Sequence, residues 1–466
     1  MKTTILLVMA LCIGNAFAQR GYSISGAAYA YHHGNSNNIL PSRFIVEEEI
    51  FNYHTHDIAK ANANSPVRLS HIWGNEKINK NTEEMVLQIG LSTIMVQNLD
   101  EIPPANLSLV VDISGSMGGT PIEQSKMAMQ ELVKQLRPTD NVSLVLFGNS
   151  VQIPHKSQPV GDKKELLRAI QNISIHGSTD VHKGMQAGYA EVASTYMPRG
   201  NNRVIVFTDA MANTGVIDPN QILANTKVYI KDIDLTFIGI GMRFNQDFAR
   251  TIKTRLRGHM HFVSDSREVT KLFKDEVEQF FAKPYGKDVQ LTIELPEQLE
   301  LEKFYGYRPI VKGKTIKLNV SDMQGGLTQV FMLKLKRKKG GDDTIDPVEY
   351  SLSFNDQSET PRMISKKTEV LNQENDGAPY DKLANSKVKK NYSIAYMAGQ
   401  LKQASVNYEN DENEERFFQT INHVLAGIHK EYPNPDQDIQ YVRDLLEKQT
   451  KPEVTSTSAI ALVDEF

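Results

Sequence analysis

Two carboxylates and three hydroxyls, spread over three short segments, are the side chains of this sequence best suited to a shared chemistry. Asp112, Ser114 and Ser116 alternate along Asp112-Ile113-Ser114-Gly115-Ser116. Thr179 follows in Gly177-Ser178-Thr179-Asp180, and Asp209 in Thr208-Asp209-Ala210. The alternation lets one tight loop turn three side chains toward a single point. Gly115 relieves the crowding there, and Gly118-Gly119 lets the backbone pass on into a helix. All five donors are hard oxygens, and a small octahedral cage of such oxygens selects Mg²⁺, with Mn²⁺ or Ca²⁺ as replacements. Two carboxylates nearly neutralise the ion. Mg²⁺ gives up water reluctantly, so one or two positions are expected to stay hydrated, and a carboxylate from outside can replace such a water. The competing reading is an ordinary hydrogen-bonded turn cluster, because Asp and Ser are common in turns. Asp180 reads as the cap of the following helix rather than as a ligand.

Each of these segments needs a strand to present it. Leu107-Ser108-Leu109-Val110-Val111 is a near-continuous apolar run of the kind that forms a buried parallel strand. Similar runs lie at Val142–Phe147, Arg203–Thr208, Asp234–Ile240 and His259–Val263. Helical stretches separate them, near 121–136, 163–172, 181–196, 218–229, 245–255 and 266–282, with Pro121 suited to a first turn. Strands alternating with helices predict an α/β fold: a Rossmann-like, doubly wound, mainly parallel sheet over 105–283. Ligands of such a sheet bind at the carboxyl ends of its strands, where all three segments fall.

In this order and strand context, Asp112-x-Ser114-x-Ser116, Thr179 and Asp209 resemble the metal-ion-dependent adhesion site of von Willebrand factor type A domains. Gly239-Ile240-Gly241 and the stretch from Phe262 to Phe281 are similar to that family's last strands and helix. The resemblance implies a bound divalent ion, a protein partner presenting Asp or Glu, and a last helix (266–282) able to shift when the ion takes a ligand. The lead-in Val46 to Tyr53, together with Trp73, resembles a group of exported bacterial proteins carrying this domain. Thr455 to Asp464 is similar to the closing strand of inter-α-trypsin-inhibitor heavy-chain-like proteins.

The flanks have other periods. Residues 19–43, rich in Gly, Ser, Asn and Tyr, read as a linker or loose arm. Residues 44–104 hold a short helix near 44–56 and antiparallel strands with one wet face within 67–97. Period-two alternation resumes at Val289, Leu291 and Ile293, predicting a β-rich module over 287–370. Both flanks are small for independent cores, so a single β-sandwich interrupted by the α/β domain is the expectation. Residues 385–466 read as a helical region with a terminal strand at Thr455–Val463.

The chain has 466 residues, 40% hydrophobic and 23% charged, with formal net charge −4. That suits folded modules and supplies no basic footprint for nucleic acid. The basic run Lys334–Lys339 reads as the solvated end of a strand. Residues 1–18 read as a signal peptide: Lys2, the apolar stretch Ile5–Ile13, then Ala16-Phe17-Ala18 as a cleavage site. The apolar run is too short for a membrane span. The only cysteine, Cys12, lies inside it, so the cleaved chain is expected to use no disulfides. A periplasmic, cell-surface or secreted location follows. No later hydrophobic span stands out.

Histidines 32, 33, 54 and 56 lack matched Cys or carboxylate spacing and read as loop or surface residues. His182 reads as a solvent-facing helix position, with contact to a bound ligand as the alternative. Neither Ser114 nor Ser116 sits in a Gly-x-Ser-x-Gly elbow, and no Walker-type phosphate loop is present. The sequence therefore predicts a non-catalytic, divalent-metal-dependent binding or adhesion module. A structural component whose metal mainly stabilises the domain is the alternative. A chelatase-type enzyme subunit is a third reading, opposed by the leader.

Overall fold

The computed structural model describes residues 39–450, apart from 95–102, 210–217, 219–220, 222–232, 241–258, 264–283, 339–343, 373–382 and the single positions 53, 55, 76, 80, 81, 321 and 357. The expected leader, most of the arm, the helices near 218–229, 245–255 and 266–282, Gly241 and the terminal strand lie outside the described residues.

Seventeen strands are described, in chain order: β1 (Val67–Trp73), β2 (Glu84–Thr93), β3 (Ala105–Asp112), β4 (Asn141–Phe147), β5 (Val151–Pro159), β6 (Asn201–Thr208), β7 (Asp234–Ile240), β8 (His259–Val263), β9 (Lys287–Glu294), β10 (Leu299–Phe304), β11 (Ile310–Lys312), β12 (Thr315–Asn319), β13 (Thr328–Arg337), β14 (Thr344–Ile345), β15 (Glu349–Asn355), β16 (Pro361–Lys367) and β17 (Leu371–Asn372). The helices are α1 (Glu47–Phe51), α2 (Thr120–Gln135), α3 (Lys164–Gln171), α4 (Val181–Ser194), α5 (Ser386–Asp411), α6 (Glu414–Glu431) and α7 (Gln437–Glu447).

The α/β unit is a six-stranded sheet in the order β5-β4-β3-β6-β7-β8. Its last five members pair in parallel, and β5 is an antiparallel edge strand. The parallel strands β3, β4 and β6 are buried along their whole length because helices cover both faces. β5 was not expected: its residues are mostly polar and exposed, so no apolar run marks it. Helix α4 packs unusually close to the sheet. A Cβ on Gly184 would stand 2.5 Å from Phe147 Cδ1, and one on Gly188 2.5 Å from Val110 Cγ2. Two glycines one helical turn apart thus let α4 lie against β3 and β4, with its N-terminus beside the β3 loop.

The flanking strands make two facing sheets, β1-β2-β13-β10 and β11-β12-β9-β15-β16. β2 precedes the α/β unit and β13 follows it, and the two pair antiparallel from Thr328↔Ser92 to Lys336↔Glu84. Leu87, Ile89 and Leu91 face Leu291, Ile293 and Leu352 in the core between the sheets. The flanks thus share one β-sandwich, with the α/β unit inserted between its strands.

The other face of the four-stranded sheet is not wet. Val86, Val330 and Met332 share a core with Val388, Ala395, Met397 and Leu401 of α5. β2 is therefore buried on both faces, which corrects the expectation of one solvated face. The cause is the helical layer α5–α7, whose N-termini are capped by Asn385, Asn413 and Asp436. Lys390 of α5 ties this layer together, with Nζ 2.5 Å from Asp436 and 2.6 Å from Asp438. Residues 39–43 are also held, against the expectation of a loose arm. Leu40 N donates to Gln449 Oε1 at 2.8 Å, and Ser42 N to Glu409 Oε1 at 2.8 Å. The helix expected over 44–56 is confined to the five residues of α1.

Candidate metal centre

β3 ends at Asp112, and its backbone continues through a single 3₁₀ turn, Gly115–Met117, into α2. Gly119 makes the corner at φ +80, a conformation that favours glycine. Both Asp112 oxygens are engaged. Oδ1 accepts from the Ser114 amide at 2.9 Å, and Oδ2 accepts from the Thr208 hydroxyl at 2.7 Å. Ser114 Oγ lies 3.2 Å from Ser116 Oγ.

The loop before α4 is stitched to the β3 loop by backbone bonds. His176 N donates to Ile113 O at 2.7 Å, and Gly115 N to Gly177 O at 3.3 Å. Gly177, at φ +96, passes so close to Asn149 that a Cβ would stand 2.8 Å from the Asn149 amide nitrogen. Asn149 Oδ1 in turn accepts from both the amide and the hydroxyl of Ser178, at 2.8 Å each. These contacts bring the segment carrying Thr179 against the β3 loop. Asp180 caps α4 by accepting from Lys183 N at 3.1 Å, with Lys183 Nζ 3.0 Å away. This is the role expected of it.

Asp112, Ser114, Thr179 and Asp209 are buried, with at most 2% of any of them exposed, whereas Ser116 stands exposed at the rim. Burial pushes the Asp112 carboxyl up to about 6, and the Asp209 charge adds to this. The hydrogen bonds from Ser114 and Thr208 hold against it. A buried carboxylate beside another is costly unless a cation balances it. The donor set is oxygen only, carries two negative charges and has one open edge. It fits a hard divalent cation on those grounds.

Thr208 was not singled out by sequence. It had one signal, its place directly before Asp209. Asn149 had none, because its role depends on how two loops meet in space. His182 is buried rather than solvent-facing, since α4 lies close against the sheet, and its Nε2 has no hydrogen-bond partner. His54 and His56 are likewise buried, not surface residues. Their rings meet edge to face with centroids 4.5 Å apart, beneath α5. Among the described residues, no group of three or more His, Cys, Asp or Glu side chains stands together as a metal cluster. Nor is any helix among them long and apolar enough to cross a membrane.

Residues 106–275 match the sequence profile of the von Willebrand factor type A domain, a span that includes all five candidate donors. An uncharacterized protein of Escherichia coli (strain K12), YfbK, is 26% identical over 267 residues, 54% of this chain and 45% of that protein. Inter-alpha-trypsin inhibitor heavy chain H1 of Bos taurus is 30% identical over 204 residues, 42% of this chain and 22% of its own length. The chain thus spans less than half the length of these two curated relatives. Among solved structures, von Willebrand factor type A from Catenulispora acidiphila is similar with a TM-score of 0.54 at 13% identity, covering 84% of this chain and 99% of that one. That likeness is one of fold, and it reaches beyond the α/β unit. With its mixed, mainly parallel sheet, flanking sheets and C-terminal helices, this chain carries a von Willebrand factor type A domain set into a larger α/β architecture.

Proposed function

We propose that this domain is a non-catalytic docking module. Asp112, Ser114, Ser116, Thr179 and Asp209 would hold one divalent cation, Mg²⁺ by preference and Mn²⁺ or Ca²⁺ as replacements. The observation that carries the reading is the buried Asp112 carboxyl, raised to about 6 beside Asp209 at the carboxyl end of β3. When bound, the cation supplies an electropositive position at the rim that accepts an Asp or Glu carboxylate of a protein partner. The chain's own residues orient the donors. Ser114 N and Thr208 Oγ1 fix the Asp112 carboxylate, and the Asn149–Ser178 bonds fix the loop that carries Thr179. The leader-like start of the sequence supports action outside the cytoplasm, in a cell envelope or beyond it.

A pull-down from envelope extract, run with and without EDTA, tests this. Binding is expected to need the metal and to vanish in Asp112→Ala with the fold retained. Partner binding that survives both EDTA and Asp112→Ala rules the metal role out. A structural role is the second reading, favoured by the same buried charge. It predicts a large loss of thermal stability on chelation and no carboxylate-bearing partner.

A further inference from the structure

A partly open cavity of about 210 Å³ lies where the four-stranded sheet meets α5, walled by residues with no part in the docking reading. Its sheet side carries Glu84, Glu302, Lys303 and Lys334, and its helix side Tyr392, Tyr396 and Gln400. Lys334 opens the basic run expected to be solvated. It instead sits mostly covered, with Nζ 3.2 Å from Glu84 Oε1 and 3.0 Å from Glu302 Oε1. Burial works against its ammonium, but the hydrogen bonds to Glu302 and Glu84 outweigh that and raise its pKa. Lys303 Nζ lies over the Tyr305 ring, 4.6 Å from the centroid. The Tyr305 hydroxyl donates to the Tyr392 hydroxyl at 3.1 Å, and Tyr392 stacks on Tyr396 at 6.5 Å and 20°. The wall is thus held in place before any ligand arrives.

Four properties select the ligand. Two carboxylates and two ammonium groups leave the lining without net charge, so neither an anion nor a cation gains from it as a whole. Carboxylates only accept hydrogen bonds, ammonium groups only donate, and the Gln400 amide does both. A hydroxyl also does both, so one polyol can satisfy all of them, whereas an ammonium ion only donates and a carboxylate ion only accepts. Tyr305 and Tyr392 are buried, and the half-buried Tyr396 ring offers the apolar face on which the C–H face of a sugar ring can lie. The volume falls below the ~300–1,000 Å³ of pockets that enclose drug-sized ligands, which suits a single ring. We propose that this cavity binds a neutral saccharide unit, independently of the metal.

Saturation-transfer-difference NMR on the whole chain tests this, with glucose, galactose and N-acetylglucosamine as probes at millimolar concentration. At least one is expected to show transfer to its ring protons, unchanged by EDTA and retained in Asp112→Ala. Tyr396→Ala and Gln400→Leu are each expected to weaken it about tenfold or more, with circular dichroism showing that α5 remains folded. Gln400, a half-buried polar residue of the lining, keeps the test usable if loss of Tyr396 disturbs the helix. No transfer from any of the three sugars overturns the proposal. So does transfer that persists in both variants, or that glutamate or inorganic phosphate abolishes equally well. Transfer lost on EDTA alone would place the sugar at the metal site and overturn it too.

Discussion

Asp112→Asn should separate the cost of the buried charge from the benefit of the metal. The Asp112 carboxyl rises from 3.8 to about 6 on folding. At about 1.36 kcal/mol per pH unit, that is roughly 3 kcal/mol against the ionised form in the metal-free domain. The value in the folded state exceeds that in the unfolded state. The associated stability is therefore present in full below 3.8 and lost as pH rises through about 6. Asn is neutral at every pH. Its carbonyl can accept from Ser114 N, and the Thr208 hydroxyl can rotate to accept from its amide. In EDTA at pH 8, the variant should be more stable than the parent by up to ~3 kcal/mol. For a unit of this size that is roughly 6–12 °C in the transition of this domain, at about 2–4 °C per kcal/mol. Added Mg²⁺ should reverse the order. The parent gains stability by mass action, about 2.7 kcal/mol at a concentration one hundred times Kd, and the variant gains almost none. Differential scanning calorimetry with and without Mg²⁺, at pH 5 and pH 8, reads both halves. A variant less stable than the parent in EDTA at pH 8 refutes the charge argument. A variant that keeps the full Mg²⁺ shift refutes the ligand assignment.

Other perturbations probe the supports of the site and the sandwich. Thr208→Val removes the donor to Asp112 Oδ2 at constant shape; it should cost about 1.5–3 kcal/mol, as for a hydrogen bond to a charged group, and weaken Mg²⁺ binding by calorimetric titration. Gly184→Ala puts a methyl group 2.5 Å from Phe147 Cδ1, so an overpacking cost of about 1–3 kcal/mol is expected in urea unfolding, together with weaker Mg²⁺ binding because α4 carries the Thr179 loop. His56, pushed well below its ordinary value of 6.5 by burial, then by His54, Lys390 and Lys60, favours the neutral form in the fold. Its contribution is present above pH 6.5 and lost as pH falls below it, so stability measured from pH 7.5 to 5.5 should decline and His56→Gln should flatten the decline.

What was legible in the sequence follows from how many physical demands each segment answers alone. Leu107–Val111 is apolar but for Ser108 because helices cover both faces of β3, and that demand is written in one near-continuous run. The alternation of Val289, Leu291 and Ile293 was equally direct, because one face of β9 meets the sandwich core. β2 was misread for the opposite reason. Its Gln88 has the look of a wet-face residue, yet it is buried and accepts from Asn391 of α5 at 2.7 Å, three hundred residues away in the chain. The buried histidines failed for related reasons: His54 meets Asn391 of α5 at 3.4 Å, far away in the chain, and His56 meets Asn52, four residues back, at 2.9 Å, so each ring has a polar partner that makes its burial tolerable. The candidate donors around Asp112 could be proposed from sequence because oxygen chemistry constrains residue type and loop spacing together. Thr208 and Asn149 were not, since a hydroxyl or amide that orients another side chain needs only to be near it in space.

The mount of the domain bears on how a docked load would travel. Both connections between the α/β unit and the sandwich are tied to one short segment, residues 323–327. On the incoming side, Thr93 N donates to Leu327 O at 3.0 Å and Gly326 N to Ile94 O at 3.0 Å. On the outgoing side, Tyr285 N donates to Met323 O at 2.6 Å and Met323 N to Gly286 O at 2.9 Å. β3 runs eight residues, about 25 Å at roughly 3.3 Å per residue, from Ala105 to Asp112. It is paired in parallel with β4 on one side and β6 on the other, so it cannot stretch or slip alone. A pull on a carboxylate held at the carboxyl end of the sheet would therefore be shared by β3, β4 and β6. The β2–β13 ladder that flanks the insertion is sealed by the sandwich core on one face and the helical layer on the other. The α/β unit is thus inserted between paired strands rather than appended at one end, and both flanks of the insertion close on the same short segment of the sandwich.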